Sequence, residues 1–510
     1  MFSKSLSLKP RTVAPRLAAL AAAGLFAFTA STSFAQTQQE TVIPNRITQA
    51  INPDVRVTLQ HNVHPLAQAR FDQGAAPGSM STGRIMLVLK RSDAQETALK
   101  QFLSDVQTPS SPNYRKWLTP AQFGKQYGIS DTDLSAVTAW LQSQGFTVDK
   151  VPQARNVVIF SGNVAQIQQA FHTSIHRYNV NGESHFANAS DPQIPAALAP
   201  VVGGIASLND FHPKSNAARK STAHFDPETK SIKPDLTLSD TSGNHYLYVG
   251  PADAATIYDT PSSALNGNYS SSLLGGKTYD GTGVTIGIVG DSNINASDVA
   301  AYRAGFLPST YTNQPNVIID GNDPGINGDA TEALLDLEVS GGIAPGANIN
   351  FYTAADTDLQ VGLFLSIYRA LDDNAVSILN VSFGNCEASQ GASGNLQILN
   401  AWEQAAAQGI SVTVSTGDSG SAGCDDPNTE TVATMGLAIS GLASTPYNIA
   451  VGGTDYNALA TSFSTYVSTT NSASTFYRTA LKYIPENPWN DSPLTNSGSY
   501  TTNMPFKDSQ

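Results

Sequence analysis

Gly283-Val284-Thr285-Ile286-Gly287-Ile288-Val289 sets the fold class. It is a short, near-continuous apolar run, as expected of a strand buried on both faces. Val317-Ile318-Ile319, Ile349-Asn350-Phe351-Tyr352, Ile378-Leu379-Asn380-Val381 and Ile410-Ser411-Val412-Thr413-Val414 repeat that character downstream. Helical spacing fills the intervals 296–305, 331–340, 358–371 and 394–408. Strands alternating with helices predict an α/β domain over 246–510, built on a mostly parallel sheet with right-handed crossovers. Functional groups of such sheets gather at the carboxyl ends of the strands.

Upstream, residues 50–212 read differently. Arg84 to Leu89 is a strand candidate, and 93–106 has helical spacing. Leu134, Val137, Trp140 and Leu141 mark another helix, closed by Gly145 and followed by strand-like Phe146-Thr147-Val148. A strand at 156–160 and a helix at 164–171 complete a small α+β unit. Between the two units, 213–245 is polar and holds Lys214, Arg219, Lys220, Lys230 and Lys233. It reads as an exposed linker with a processing site. At the start, Lys4, Lys9, Arg11 and Arg16 precede an apolar stretch over 17–30, and Ser33-Phe34-Ala35 precedes Gln36. That order predicts a signal peptide over 1–35 and a secreted or periplasmic protein.

Composition narrows the partners. The net charge is -13, which argues against nucleic acid and anionic membranes. The charge is uneven: residues 246–510 hold 6 Lys+Arg against 25 Asp+Glu, whereas 36–245 hold 18 against 16. A surface poor in Lys and Arg gathers less positive charge in acid. The two cysteines, Cys386 and Cys424, are expected to pair after export. No metal site is read from the residues, since a Zn site needs more Cys or His nearby.

All eight histidines lie in the first 245 residues, so a hydrolase in the second half has no imidazole base. A carboxylate base works best near its own pKa, which points to chemistry in acid. Glu332 and Asp336 stand four apart in a helical stretch, which puts them on one face. Buried together, two carboxyls split their pKa values. The bland alternatives are a capping box formed by Asp329 and Glu332, and a solvated Asp336. Gly417-Asp418-Ser419-Gly420 follows a strand. It imitates the nucleophile loop of trypsin-like proteases, but that reading needs a histidine and a β-barrel. Asp418 is either a strand-end carboxyl able to donate to an oxyanion or the Asp of a Gly-rich turn. Asp291, ending the first strand, is placed like the Asp of a subtilisin-type triad. It is read as structural, since that triad also needs histidine.

Together these residues resemble the sedolisin family, the serine-carboxyl peptidases. The resemblance runs from about residue 50 onward. Ser111-Pro112-Asn113-Tyr114-Arg115-Lys116-Trp117-Leu118-Thr119-Pro120 and Phe123-Gly124 are similar to the family's activation prodomain. Glu332-x-x-x-Asp336, Ala344-Pro345-Gly346-Ala347, Asn380-Val381-Ser382-Phe383-Gly384, Gly417-Asp418-Ser419-Gly420 and Val451-Gly452-Gly453-Thr454 occur in family order. The resemblance implies a subtilisin-like α/β catalytic domain behind the α+β prodomain. It implies Glu332 as general base, Asp336 as the residue that holds and polarises it, and Asp418 as the oxyanion carboxyl. The implied protein is a monomeric zymogen of an acid-acting endopeptidase, with peptides as substrates and its own prodomain as inhibitor. Calcium is implied as a cofactor, with its ligands absent from these residues. The family's nucleophile sits in a Gly-Thr-Ser motif, which these 510 residues lack. The expectation is therefore a chain truncated before that serine, with 246–510 an incomplete domain. The alternative is a catalytically inactive, peptide-binding or inhibitory remnant.

Overall fold

The computed structural model describes residues 43–206, 208–213, 223–226, 231–234, 237–239, 245–261, 265–266, 279–425 and 435–488. The expected signal peptide and most of the expected linker lie outside the described residues.

The upstream unit is a four-stranded antiparallel sheet with helices against it. Its strands are β1 (Ser81–Leu89), β2 (Thr147–Lys150), β3 (Val157–Asn163) and β4 (Val202–Ala206), in spatial order β2-β3-β1-β4. Its helices are α1 (Asp93–Gln107), α2 (Pro120–Tyr127), α3 (Asp131–Ser143) and α4 (Val164–Phe171). Capping boxes open three of them: Ser92 with Gln95, Thr119 with Gln122, and Asn163 with Gln166. Each box satisfies orphan N–H groups that would otherwise fray the first turn. Alternate side chains of β1 and β3 serve two cores, because successive strand residues face opposite ways. Ile85, Leu87, Val158 and Phe160 pack with Trp140, Ile167 and Phe171 of α3 and α4. Met86, Val88, Val157 and Ile159 pack instead against Tyr352, Leu363, Phe364 and Trp402 of the downstream unit.

That unit begins with α5 (Pro251–Ile257) and is built on six parallel strands. They are β5 (Thr285–Gly290), β6 (Asn316–Ile319), β7 (Asn348–Thr353), β8 (Ile378–Val381), β9 (Ser411–Ser415) and β10 (Ile449–Val451). Their spatial order is β6-β7-β5-β8-β9-β10. The first strand thus lies inside the sheet; the chain next forms the edge strand β6, returns to insert β7 between β6 and β5, and then adds β8, β9 and β10 outward on the other side. Crossovers run through α6 (Ala296–Phe306), α7 (Ala330–Ile343), α8 (Gly362–Asp373) and α9 (Glu387–Gln408). This is the subtilisin-like α/β class.

Two helix starts differ from the sequence reading. The helix expected from 358 begins at Gly362, where the Asp356 carboxylate accepts the Gly362 N–H at 2.5 Å. The helix expected from 394 begins at Glu387 and kinks at Gly391, whose φ is 64°. Glycine adopts that value without the Cβ penalty.

The two units share a buried seam along α9. Its prodomain-facing residues Ser393, Gln397, Asn400, Glu403 and Gln404 are polar, yet each is at most 2% exposed. Each listener across the seam is specific. The Asn400 amide donates to Leu89 O at 3.0 Å, and the Asn156 amide donates to Gln404 Oε1 at 2.8 Å. The Arg91 guanidinium bonds Glu96 at 3.0 Å and also meets Asn400 and Glu403. At Gly204 of β4 a Cβ would collide with Ser393, so only glycine lets strand and helix approach this closely.

Candidate functional site

Helix α7 carries the sequence-predicted pair. Ala333 and Leu337 bury against Ile286, Ile288, Ile349 and Phe351 of β5 and β7. Seating that stripe fixes the roll of the helix and turns Glu332 and Asp336 to one neighbouring face. The helix stops at Ala344, because Pro345 disfavours helical backbone in the residue before it.

The capping box expected at its start does not form. Asp329 occupies the N-cap, but its side chain makes no cap hydrogen bond. Glu332, in the first turn, is only 6% exposed. Asp336 is not solvated either. Its Oδ1 accepts a hydrogen bond from Ser382 Oγ at 2.7 Å, and its Oδ2 is buried without a hydrogen-bond partner. Burial pushes the Asp336 carboxyl up to about 7; Ser382 opposes the rise and the nearby Glu332 adds to it. This is the behaviour of a carboxyl desolvated beside a like charge.

The structure adds a third carboxyl that the sequence reading set aside. Asp291 directly follows β5 and is 6% exposed, with a buried Oδ1 that has no hydrogen-bond partner. Burial pushes it up to about 8, with further upward contributions from Asp329, Asp356 and Glu332. The available signal was its position at the end of the central strand, which is where such sheets place functional groups. The missing histidine had argued for a purely structural role. Being buried among carboxyls, Asp291 belongs to the site's electrostatics whatever its chemistry.

Strand register collects these groups. β5 pairs with β7 through Gly290 and Thr353, and with β8 through Val289 and Val381. The residues just past those strand ends are Asp291 and Ser382. Asp418 stands three residues beyond β9, in a turn where Gly417 has φ 90° and Gly420 φ 55°. A Cβ on Gly384 would lie 3.8 Å from Gly417 Cα, so the turns after β8 and β9 abut. Cys386 and Cys424 form the expected disulfide, with Cα atoms 4.7 Å apart, and tie those same two turns together. Ser419 Oγ donates to Asp425 O at 3.2 Å, so its proton is engaged by backbone rather than by a base.

The arrangement sets Asp336, whose carboxyl keeps its proton through mild acid, beside the buried Glu332 at the rim of a parallel sheet. That is the equipment for proton transfer without imidazole. Among the described residues no cluster of His, Cys, Asp or Glu is arranged to hold a metal ion, so no residue is assigned to calcium. Among them, too, no helix is long and apolar enough to cross a membrane.

Comparison with known proteins places both units. A family model described as the Pro-kumamolisin activation domain matches residues 69–211, and one for the subtilase family matches 310–480. Xanthomonalisin of Xanthomonas sp. (strain T-22) is 29% identical over 408 residues, 74% of this chain and 46% of its own. Sedolisin of Pseudomonas sp. (strain 101) is 29% identical over 387 residues, 73% of this chain and 60% of its own. Kumamolisin of Bacillus sp. (strain MN-32) is 25% identical over 415 residues, 78% of this chain and 67% of its own. The chain thus spans between about half and two thirds of the length of these curated relatives.

Proposed function

The chain belongs to the sedolisin family and carries that family's N-terminal activation domain, and on that premise we propose that it is the precursor of an exported, acid-acting serine-type endopeptidase. Glu332 is the general base, taking the proton from a serine hydroxyl as its oxygen attacks the peptide carbonyl. Asp336 holds Glu332 and keeps the second proton of the pair. Asp418 is the carboxyl that donates to the oxyanion. The nucleophilic serine is assigned to no residue between 1 and 510, and the proposed roles are those of the carboxyls alone. Substrates are peptides, and the prodomain is the intramolecular inhibitor.

One observation carries the reading. Glu332 is 6% exposed, one helical turn from an Asp336 raised to about 7, in a domain without histidine. Folding alone does not favour two carboxyls placed so, because they lose hydration and repel each other. Chemistry that needs one of them ionised and the other protonated does favour it.

The test is Glu332→Gln and Asp336→Asn in the intact protein, assayed for peptide hydrolysis between pH 3 and 7. The expected result is loss of turnover with an unchanged circular dichroism spectrum. Near-wild-type turnover by either variant in acid overturns the assignment.

A further inference from the structure

The face of the sheet under α7 carries a line of polar side chains. Along β8 the side chains alternate: Leu379 and Val381 are buried in the core shared with the prodomain, while Asn380 and the following Ser382 lie on the opposite face. Thr413 of β9 is in register with Asn380. Three hydrogen bonds link them. Thr413 Oγ1 donates to Asn380 Oδ1 at 3.0 Å, Asn380 Nδ2 donates to Ser382 Oγ at 3.0 Å, and Ser382 Oγ donates to Asp336 Oδ1 at 2.7 Å. All three donors point the same way, and such chains polarise one another.

We propose that Ser382, Asn380 and Thr413 are positioning residues for the Glu332–Asp336 pair, forming a one-way file of hydrogen bonds that fixes which oxygen of Asp336 carries the proton. The hydroxyl arithmetic gives the direction. Ser382 has one proton, and Asp336 takes it. Its oxygen is already accepting from Asn380, whose amide nitrogen cannot accept in return. Oδ1 of Asp336 is therefore held as an acceptor. When Asp336 is protonated the proton must reside on Oδ2, which is buried and has no other hydrogen-bond partner. Glu332 is the titratable neighbour that acts on this carboxyl, and Ser382 and Asn380 are the groups that lower its pKa from the strand side.

Apolar side chains at 380 and 413 would serve the sheet equally well. The polar file therefore points to the carboxyl at its end. The role assigned to these three residues rests on the proposed function, since a pair with no proton to move needs no such guide. The titration itself does not depend on turnover.

The experiment is a ¹³C NMR titration of the Asp336 carboxyl in the intact protein with labelled aspartate, the resonance being assigned by its loss in Asp336→Asn. Removing a donor to the ionised form raises a carboxyl's pKa. Ser382→Ala is expected to move the midpoint upward by about one pH unit, and Ser382→Thr, which keeps the hydroxyl, to leave it unchanged. Thr413→Val leaves Ser382 in place and is expected to give a smaller upward move, which keeps the test available if Ser382→Ala folds poorly. An Asp336 midpoint unmoved in Thr413→Val, and unmoved or lowered in Ser382→Ala, overturns the inference. Absence of peptide hydrolysis alongside the expected midpoints would instead sink the proposed function and leave the hydrogen-bond file standing.

Discussion

The strand-end carboxyls and the tail of the prodomain both bury titratable groups, with opposite consequences in acid. Asp291, just past β5, and Asp336, on helix α7 beside the strand ends, are raised to about 8 and about 7. An unfolded Asp titrates near 3.9. The stability they contribute is fully present below that value and is lost as pH rises through 7 to 8. In the tail, Phe211 lies between two imidazoles, stacked on His64 at 3.9 Å and on His185 at 4.1 Å between ring centroids. Burial pushes His64 down to about 3, and nearby His185 adds to the fall. Its contribution is fully present above the usual value of about 6.5 and is lost as pH falls through 3. Acid thus firms the site and loosens the segment that leads away from the prodomain. The cause is chemical: burial disfavours the charged form, which is the basic form of a carboxyl and the acidic form of an imidazole.

The largest effect expected is chemical. Glu332→Gln should lower kcat for peptide hydrolysis by about 10³-fold, within the usual range for losing a general base. A loss of less than tenfold would remove the carboxyl site from the comparison altogether.

Next comes the seam, where a buried carboxyl does have a cationic partner. Burial raises Glu403 to about 7, with Arg91 opposing the rise. Arg91→Ala should destabilise the folded precursor by about 3 kcal/mol at pH 8.5, where Glu403 would be left ionised and unpaired. The cost should shrink at pH 5, where Glu403 holds a proton. Denaturant melts at the two pH values check this, and equal costs would show that the carboxyl does not titrate there.

Asp291→Asn sharpens the sign at the strand ends. It removes a group that disfavours the folded state when ionised, so it should stabilise by about 2 kcal/mol at pH 9 and by little at pH 4. Thermal melts across that range read it directly. A gain that is the same at both ends would mean the effect is packing rather than charge.

The smallest effect belongs to the tail. His64→Phe keeps the stack on Phe211 but cannot charge. It should flatten the acid limb of the melting curve from about pH 6.5 downward, where an unfolded imidazole takes up a proton that buried His64 does not. An acid limb as steep as wild type would break the opposition between the two regions.

Much of the site was legible from spacing. The interval of four between Glu332 and Asp336 fixes a shared helix face wherever the helix lies, and the apolar runs marked β5 to β9 to within a residue or two. Two features of the site lay beyond any local pattern, for tertiary reasons. Asp329 and Glu332 fit a capping box, but packing of Ala333 and Leu337 against the sheet set the helix roll, and no cap bond formed. Asp291 looked structural because its role was judged against a missing histidine. Its neighbours Asp329 and Asp356 come from other segments, and no local pattern announces them.

The sequence by itself determined the elements, their alternation, the lack of an imidazole in the second unit and the carboxyl pair, since each depends on residues close in the chain. The tertiary fold alone decided which carboxyls are desolvated together, and that Thr413, Asn380 and Ser382 line up on Asp336. Strand register and burial are set by segments far apart in sequence, and it is burial that turns an ordinary aspartate into one that keeps its proton near neutrality.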